Sequence, residues 1–293
     1  MVGFQFKNYI KLLQVEFEVA HQSSSFDKGE FIGIGIRRAL EKAFKSTVCK
    51  DCAEECDHCD SKGDCPFYNI FCAKDPQGKT DATKPYRVRI LREENGRCTC
   101  QLQLLEPIMK YRREFNKAIR AMRDMAEHKL RINDVTLKNE EILSAPVDVS
   151  TPEGIKKLKL TFLTPLVLKV KGRNIAIPKL NYVLVNLIRK FISLADVYGF
   201  SKFASEELTV INALLPQAST VPFTLDVEIL EVKWDDIFEY PAIQGSVEYD
   251  LEHFRLTDEQ KSIIAKCLKL GMYIGLGSLR VAGLGDFHLV VCA

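Results

Sequence analysis

Between positions 13 and 19 the chain alternates without a break: Leu13, Val15, Phe17 and Val19 are apolar, while Gln14, Glu16 and Glu18 are polar. That is the period of a half-buried strand. After a polar loop, 21–28, Ile36, Leu40, Ala43 and Phe44 recur at helical spacing, with Arg38, Lys42 and Lys45 on another face. This predicts a helix ending near Thr47. Beyond a cysteine-rich segment, 86–91 and 98–104 read as strands joined by the turn Glu94-Asn95-Gly96. Phe115, Ile119, Met122 and Ala126 mark a second helix, opposite Arg113, Lys117 and Arg120, and 132–137 supplies a closing strand. The order is β-α-β-β-α-β, a ferredoxin-like unit.

The same order restarts in the second half. Leu158, Leu160 and Phe162 alternate with lysine and threonine, and a helix runs over 180–195. Phe223, Leu225, Val227 and Ile229 then alternate with polar residues until the apolar phase slips by one at Leu230, Val232 and Trp234, the signature of a bulge. A strand over 243–249 follows. Thr257 and Gln260 form a capping box for a last helix carrying Ile263, Ile264, Cys267, Leu268 and Leu270, and Phe287, Leu289 and Val291 give the final strand. The expected fold class is α+β: two tandem ferredoxin-like (RRM-like) domains, 1–150 and 151–293, with a cysteine-rich metal-knuckle insertion at 49–72 and a glycine-rich loop at 271–285.

Composition narrows the setting. A length of 293 residues with 46% hydrophobic content suits two domains, and a formal net charge of +2 means that any polyanion must meet a local basic patch. The chain has no run of eighteen apolar residues and no secretory leader pattern, so a cytoplasmic location is expected. In that compartment the ten cysteines point to metal binding rather than disulfides, because five of them fall between Cys49 and Cys65.

Their pattern is C-x2-C-x3-C-x2-C-x5-C, and two-residue spacing lets both thiolates of a pair approach one ion. The expected ligands of a structural zinc are Cys49, Cys56, Cys59 and Cys65, with Cys52 as spare; His58, inside the knuckle, can replace a cysteine. An iron-sulfur cluster is the competing reading, since Pro66 follows Cys65. An all-thiolate site leaves no position for catalytic water, so the metal is structural.

Between the last helix and strand, five glycines lie within fifteen residues, at Gly271, Gly275, Gly277, Gly283 and Gly285. The loop lacks the lysine of a phosphate-binding Walker loop, and it ends rather than begins a helix, which excludes a dinucleotide fingerprint. Such a loop can present amide N–H groups to an RNA backbone, with Tyr273, Ser278 and Arg280 adding side-chain contacts.

These residues resemble the repeat-processing endoribonucleases of the CRISPR-associated RAMP superfamily, the Cas six family. The likeness rests on Lys28-Gly29 before the first helix, the cysteine cluster ending in Cys-Pro-Phe-Tyr68, and Lys84-Pro85-Tyr86. It continues through Phe162-Leu-Thr-Pro165-Leu, Gly245-Ser-Val-Glu-Tyr249 and the glycine loop. The resemblance implies cleavage of precursor repeat RNA without a catalytic metal. A ribose 2′-hydroxyl attacks the adjacent phosphodiester and leaves a 2′,3′-cyclic phosphate. Repeat RNA is then the expected partner, with other CRISPR effector subunits or a second copy of the chain as further candidates, and no membrane. Tyr273 stands where many relatives carry histidine, and Leu276 where a basic residue is common.

Among five histidines, His21 is the leading candidate proton carrier, with Lys28 and Arg38 as stabilisers of the pentavalent phosphate. His288, on the last strand, comes second; His128 and His253 have no assigned role. Two other function classes stay open: a non-catalytic RNA-binding subunit of a CRISPR effector, and a metal-containing adaptor or redox protein for which the cysteines are the working site.

Overall fold

The computed structural model describes residues 9–23, 31–49, 56, 59–78, 80–127, 130–146, 154–200, 205–233, 239–252 and 254–293. The alternating segment grows into a long strand, β1 (Tyr9–Ser23), followed by α1 (Ile32–Val48). A single π-helical turn, Tyr68–Cys72, leads to the hairpin β2 (Tyr86–Glu94) and β3 (Arg97–Leu105). Asn95 and Gly96 both have positive φ, as a primed hairpin turn needs. Then come α2 (Arg112–Ala121), β4 (Ala126–Glu127) and β5 (Leu130–Pro146). The sheet order β2-β3-β1-β5-β4 is that of a ferredoxin-like unit with one short strand added at its edge.

The second unit comprises β6 (Lys157–Leu166), the small hairpin β7 (Leu168–Val170) and β8 (Arg173–Ile175), and α3 (Leu180–Tyr198). It continues with α4 (Ser205–Ala218), β9 (Phe223–Lys233), β10 (Glu239–Asp250), α5 (Asp258–Ile274) and β11 (Phe287–Cys292). Its sheet order, β11-β6-β10-β9, repeats the ferredoxin-like arrangement. Both halves of the expected capping box are present: the Thr257 hydroxyl accepts from the Gln260 N–H at 3.2 Å, and the Thr257 N–H donates to Gln260 Oε1 at 3.0 Å. The sequence reading assigned no element to α4, where Pro216 lies inside the helix; Ile211, Leu214 and Ala218 bury one face against the second core.

Leu13, Val15, Phe17 and Val19 face Ile36, Leu40, Phe44, Phe115 and Ile119 in the first core. Each such fully buried side chain contributes roughly 1.5–3 kcal/mol of transfer free energy. The opposite face of β1 does different work: Ile10 and Leu12, with Leu105, join the core of the second unit, so the two units share apolar packing.

The phase slip in β9 has another cause than the expected bulge. Pairing with β10 runs in unbroken register from Phe223 to Lys233. Residues 223, 225 and 227 face the helices, whereas Val232 lies on the other face, packed with Val167, Ala242 and Leu284 and flanked by Phe31 and Leu279. A second, smaller core on the far side of the sheet therefore reverses the pattern. Trp234 lies outside the described residues.

Candidate functional site

That small core seats the glycine-rich loop at the junction of the two units. Gly33 of α1 touches the Ala282 carbonyl so closely that a Cβ would collide with it, and Gly283 lies against the Val88 carbonyl of β2. Gly285, at φ +72°, leaves no space for a Cβ beside the Leu276 carbonyl. Glycine is required there on both counts.

The loop is stitched from within. Leu276 N–H donates to Gly285 O at 3.0 Å, Ser278 N–H to Val167 O at 2.7 Å, Gly285 N–H to Pro165 O at 3.0 Å, and Asp286 N–H to the Thr164 hydroxyl at 2.9 Å. The amides of Gly275, Gly277 and Gly283 also have acceptors inside the protein. These amides are thus committed internally, contrary to the expectation that the loop holds out its N–H groups to phosphate. The match of Phe162-Leu-Thr-Pro165-Leu to the loop is physical: this segment supplies the acceptors.

Cations approach the loop from behind. Arg87 Nη1 meets Asp286 Oδ1 at 2.5 Å, its Nη2 donates to Met272 O at 2.8 Å, and its Nε to Gln103 Oε1 at 2.6 Å. Arg89 Nε reaches the second oxygen of Asp286 at 2.5 Å and its Nη1 donates to Gln101 Oε1 at 3.2 Å. Arg280 turns inward and is 5% exposed. Its guanidinium donates to the carbonyls of Ile274 (2.8 Å), Tyr86 and Lys84. Burial pulls Arg87 down to about 10 and Arg280 to about 9, the first against the attraction of Asp286 and the second reinforced by Arg87. Both remain charged at neutral pH. Arg280 is therefore a brace of the loop, because its donors are spent on carbonyls; its assignment as an RNA contact is corrected accordingly.

What the loop shows to solvent is Ser278, Leu279 and Val281, each half-buried, with Tyr273 half-buried at the end of α5; Gly275, Gly277, Gly283 and Gly285 are buried. Leu279 has φ +62°, a left-handed conformation that costs a non-glycine residue roughly 1–3 kcal/mol. The partly exposed Arg89, with Gln101 and Gln14 joined at 3.1 Å, continues this surface along the helix-free face of the first sheet.

His21 lies elsewhere. Val88, beside the loop, is level with Leu102 and then Val15, and His21 is six residues further along β1, about 20 Å at ~3.3 Å per residue. The imidazole is buried, and neither ring nitrogen has a hydrogen-bond partner among the described residues. Burial lowers its pKa more than Glu93, whose carboxylate lies 4.0 Å from Nε2, raises it. Arg38 is half-buried on α1, and His288 is exposed on β11 opposite Thr161. Lys28, His58, His128 and His253 lie outside the described residues.

In the cysteine segment, Cys49, Cys59 and Cys65 line one cavity of about 290 Å³ with Asp64 and Ser61. Backbone turns bring Cys59 N–H to Cys56 O at 3.4 Å and Cys65 N–H to Lys62 O at 3.3 Å. The Cys56 thiol instead sits against Cys72, whose pKa is pushed up to about 12 by burial first and by Cys56 second. Three of the four expected ligands thus line one cavity, and the fourth, Cys56, lies beside Cys72, a residue beyond the spacing motif. Cys52 lies outside the described residues. Among the described residues, no group of three or more histidine, cysteine or acidic side chains is close enough to hold an ion.

Sequence reasoning missed Arg87, Arg89, Asp286, Lys190 and Asn186. The signal existed for two of them: arginines at alternate positions of Tyr-Arg-Val-Arg share one face of a strand.

Comparison with known proteins places this geometry. Thermus thermophilus Cas6 (TTHB231) is 13% identical over 96% of this chain and 99% of that chain, with a TM-score of 0.59. A Cas6 (TTHA0078) product complex is 16% identical over 96% of this chain and 100% of that chain, with a TM-score of 0.55. These likenesses give the fold, tandem ferredoxin-like units. No curated protein sequence matches the chain. Residues 10–150 match a family model described as an N-terminal domain. Residues 160–287, from β6 through the glycine loop to the first residue of β11, match the model of CRISPR-associated endoribonuclease Cas6.

Proposed function

We propose that the protein matures CRISPR RNA by cutting the repeats of precursor transcripts through 2′-hydroxyl attack, leaving a 2′,3′-cyclic phosphate without a catalytic metal. One observation carries the reading: the family match coincides with a glycine loop held rigid at the junction of two ferredoxin-like sheets. In such a reaction the protein aligns the attack, moves protons and stabilises charge. Ser278, Tyr273 and Arg89 form the surface on which the RNA backbone rests. The imidazole of His21, whose pKa burial lowers, serves as proton carrier for a cleavage point near the hairpin end of the first sheet, and Lys28 and Arg38 are the proposed stabilisers of the phosphate. RNA that touches the loop and is cut at His21 spans about 20 Å.

A structural zinc is proposed for the cysteine segment, with Cys49, Cys59 and Cys65 as ligands and Cys56 or Cys52 completing a tetrahedron. Three cysteines lining one cavity supply the donor type that zinc prefers. The ion would tie the segment to α1, on which Cys49 is the C-cap. Repeat RNA is the partner; other CRISPR-associated subunits or a second copy of this chain are further candidates.

The burial of His21 and the tyrosine at position 273 favour one alternative, an RNA-binding subunit that holds the repeat without cutting it. Incubation with labelled repeat RNA and with a shuffled RNA of equal length separates the two. Cleavage of the repeat at one position, with the shuffled RNA intact, supports the enzyme. Tight binding of the repeat with no product supports the subunit, and equal treatment of both RNAs contradicts either reading.

A further inference from the structure

Lys190 occupies a position where a helix facing a core ordinarily carries an aliphatic residue. It lies on α3 one position from Phe191 and among Leu187, Ile188 and Leu194, and is 9% exposed. The Nζ donates to Gly275 O at 2.9 Å and to Gly277 O at 2.6 Å. One helical turn earlier, Asn186 Oδ1 accepts the Gly277 N–H at 2.9 Å. Two side chains four residues apart on one helix therefore grip three successive peptide units of the glycine loop, Lys190 the outer two by their carbonyls and Asn186 the middle one by its amide.

This arrangement is expensive. An ammonium taken out of water must recover its hydration through hydrogen bonds, and the charged groups acting on Lys190, the guanidiniums of Arg280 and Arg87, are both repulsive. Methionine or leucine would fill the same volume without that cost. What Lys190 supplies and neither of them can is a pair of directed N–H donors to the loop. They hold Gly275 and Gly277 at φ +77° and +73°, and the half-buried Ser278 and the strained Leu279 follow directly.

We propose that Lys190 is a positioning residue for RNA binding: with Asn186 it fixes the Gly275 and Gly277 peptide planes, so that the Ser278–Leu279 turn stands preformed at the RNA surface. The inference rests on the reading that this loop contacts repeat RNA, and it adds which distant residues make the loop competent. Lys190 itself touches no phosphate.

The test uses full-length Lys190→Met, Lys190→Arg and Asn186→Ala proteins. Hydrogen exchange of the Leu276 and Ser278 amides and repeat-RNA affinity across a salt series are the two readouts. In Lys190→Met both amides should exchange faster and affinity should fall about 10-fold, because a loosened loop is no longer preorganised. Lys190→Arg should recover part of the loss. The slope of log affinity against log salt should stay at the wild-type value, since no phosphate contact is removed. Wild-type exchange and affinity in Lys190→Met would overturn the proposal. So would a slope shallower by about 0.7, which would make Lys190 a direct phosphate ligand. Should Lys190→Met fail to fold, Asn186→Ala decides by the same criteria. If the wild-type protein binds no repeat RNA, the functional reading has failed, and the exchange of the loop amides still determines whether Lys190 orders the loop.

Discussion

The glycine loop and the cysteine segment are both rich in one special residue, yet they obtain their order from opposite sources. The cysteine segment carries its prospective ligands within itself: Cys49, Cys59 and Cys65 reach one cavity through local turns. The glycine loop adds to bonds of its own, such as Leu276 N–H to Gly285 O and Arg280 to Ile274 O, a set of partners from distant segments. Its carbonyls are held by Lys190, Arg87 and Arg280, and its amides by Pro165, Val167 and Asn186. A spacing motif can announce the first kind of site, whereas the second is defined by partners far away in sequence.

The comparison is broken most severely at Asp286, the carboxylate shared by Arg87 and Arg89. Asp286→Ala should destabilise the protein by roughly 3–5 kcal/mol, because it leaves a buried guanidinium without its counter-charge. Urea unfolding measures this, and a loss no larger than that of an ordinary surface substitution would show that the two units do not depend on the pair.

His21→Ala comes next in size. Repeat cleavage should fall by about two orders of magnitude with RNA affinity nearly unchanged, as for a lost general acid or base. His21 also gives a pH signature. Its folded pKa lies below the ordinary 6.5, so the unfolded chain binds the proton first, and the stability it contributes is lost as pH falls through that value. Thermal melts on the acid side of neutrality should therefore decline more steeply for wild type than for His21→Ala; parallel curves would contradict the buried neutral imidazole.

The local character of the cysteine segment is sharpened by chelation. Removing the metal should lower the melting temperature by about 5 °C or more while leaving RNA affinity unchanged. Cys59→Ser should reproduce that shift and abolish zinc in elemental analysis. Cys72→Ser should keep the zinc, and its loss there would make Cys72 a ligand. The smallest effect is expected at the surface of the loop: Ser278→Ala should weaken RNA binding only a few-fold and without change in melting temperature.

Much of the fold was legible because burial on one face imposes a period on the sequence. The alternation at Leu13–Val19 and the Thr257–Gln260 capping box needed only neighbours along the chain. Where two cores compete for one strand, the period misleads, and the slip at Leu230 reads as a bulge although the ladder is regular. The site was legible as a place and not as a mechanism. Glycine density located the loop, but Arg280 looked like an RNA ligand because nothing in its neighbourhood reveals that Ile274, Tyr86 and Lys84 take up its donors. Lys190 was hidden for the converse reason, as one cation in an apolar helix face whose acceptors lie more than eighty residues away.

The central claim, that this chain cuts repeat RNA by internal attack of a ribose hydroxyl, is tested most directly by the ends it leaves. The purified full-length protein is incubated with its own CRISPR repeat RNA in EDTA and both fragments are analysed. The account predicts one cleavage position, a 2′,3′-cyclic phosphate on the upstream fragment and a 5′-hydroxyl on the downstream one; intact RNA, or a 5′-phosphate that forms only when a divalent metal is restored, would contradict it.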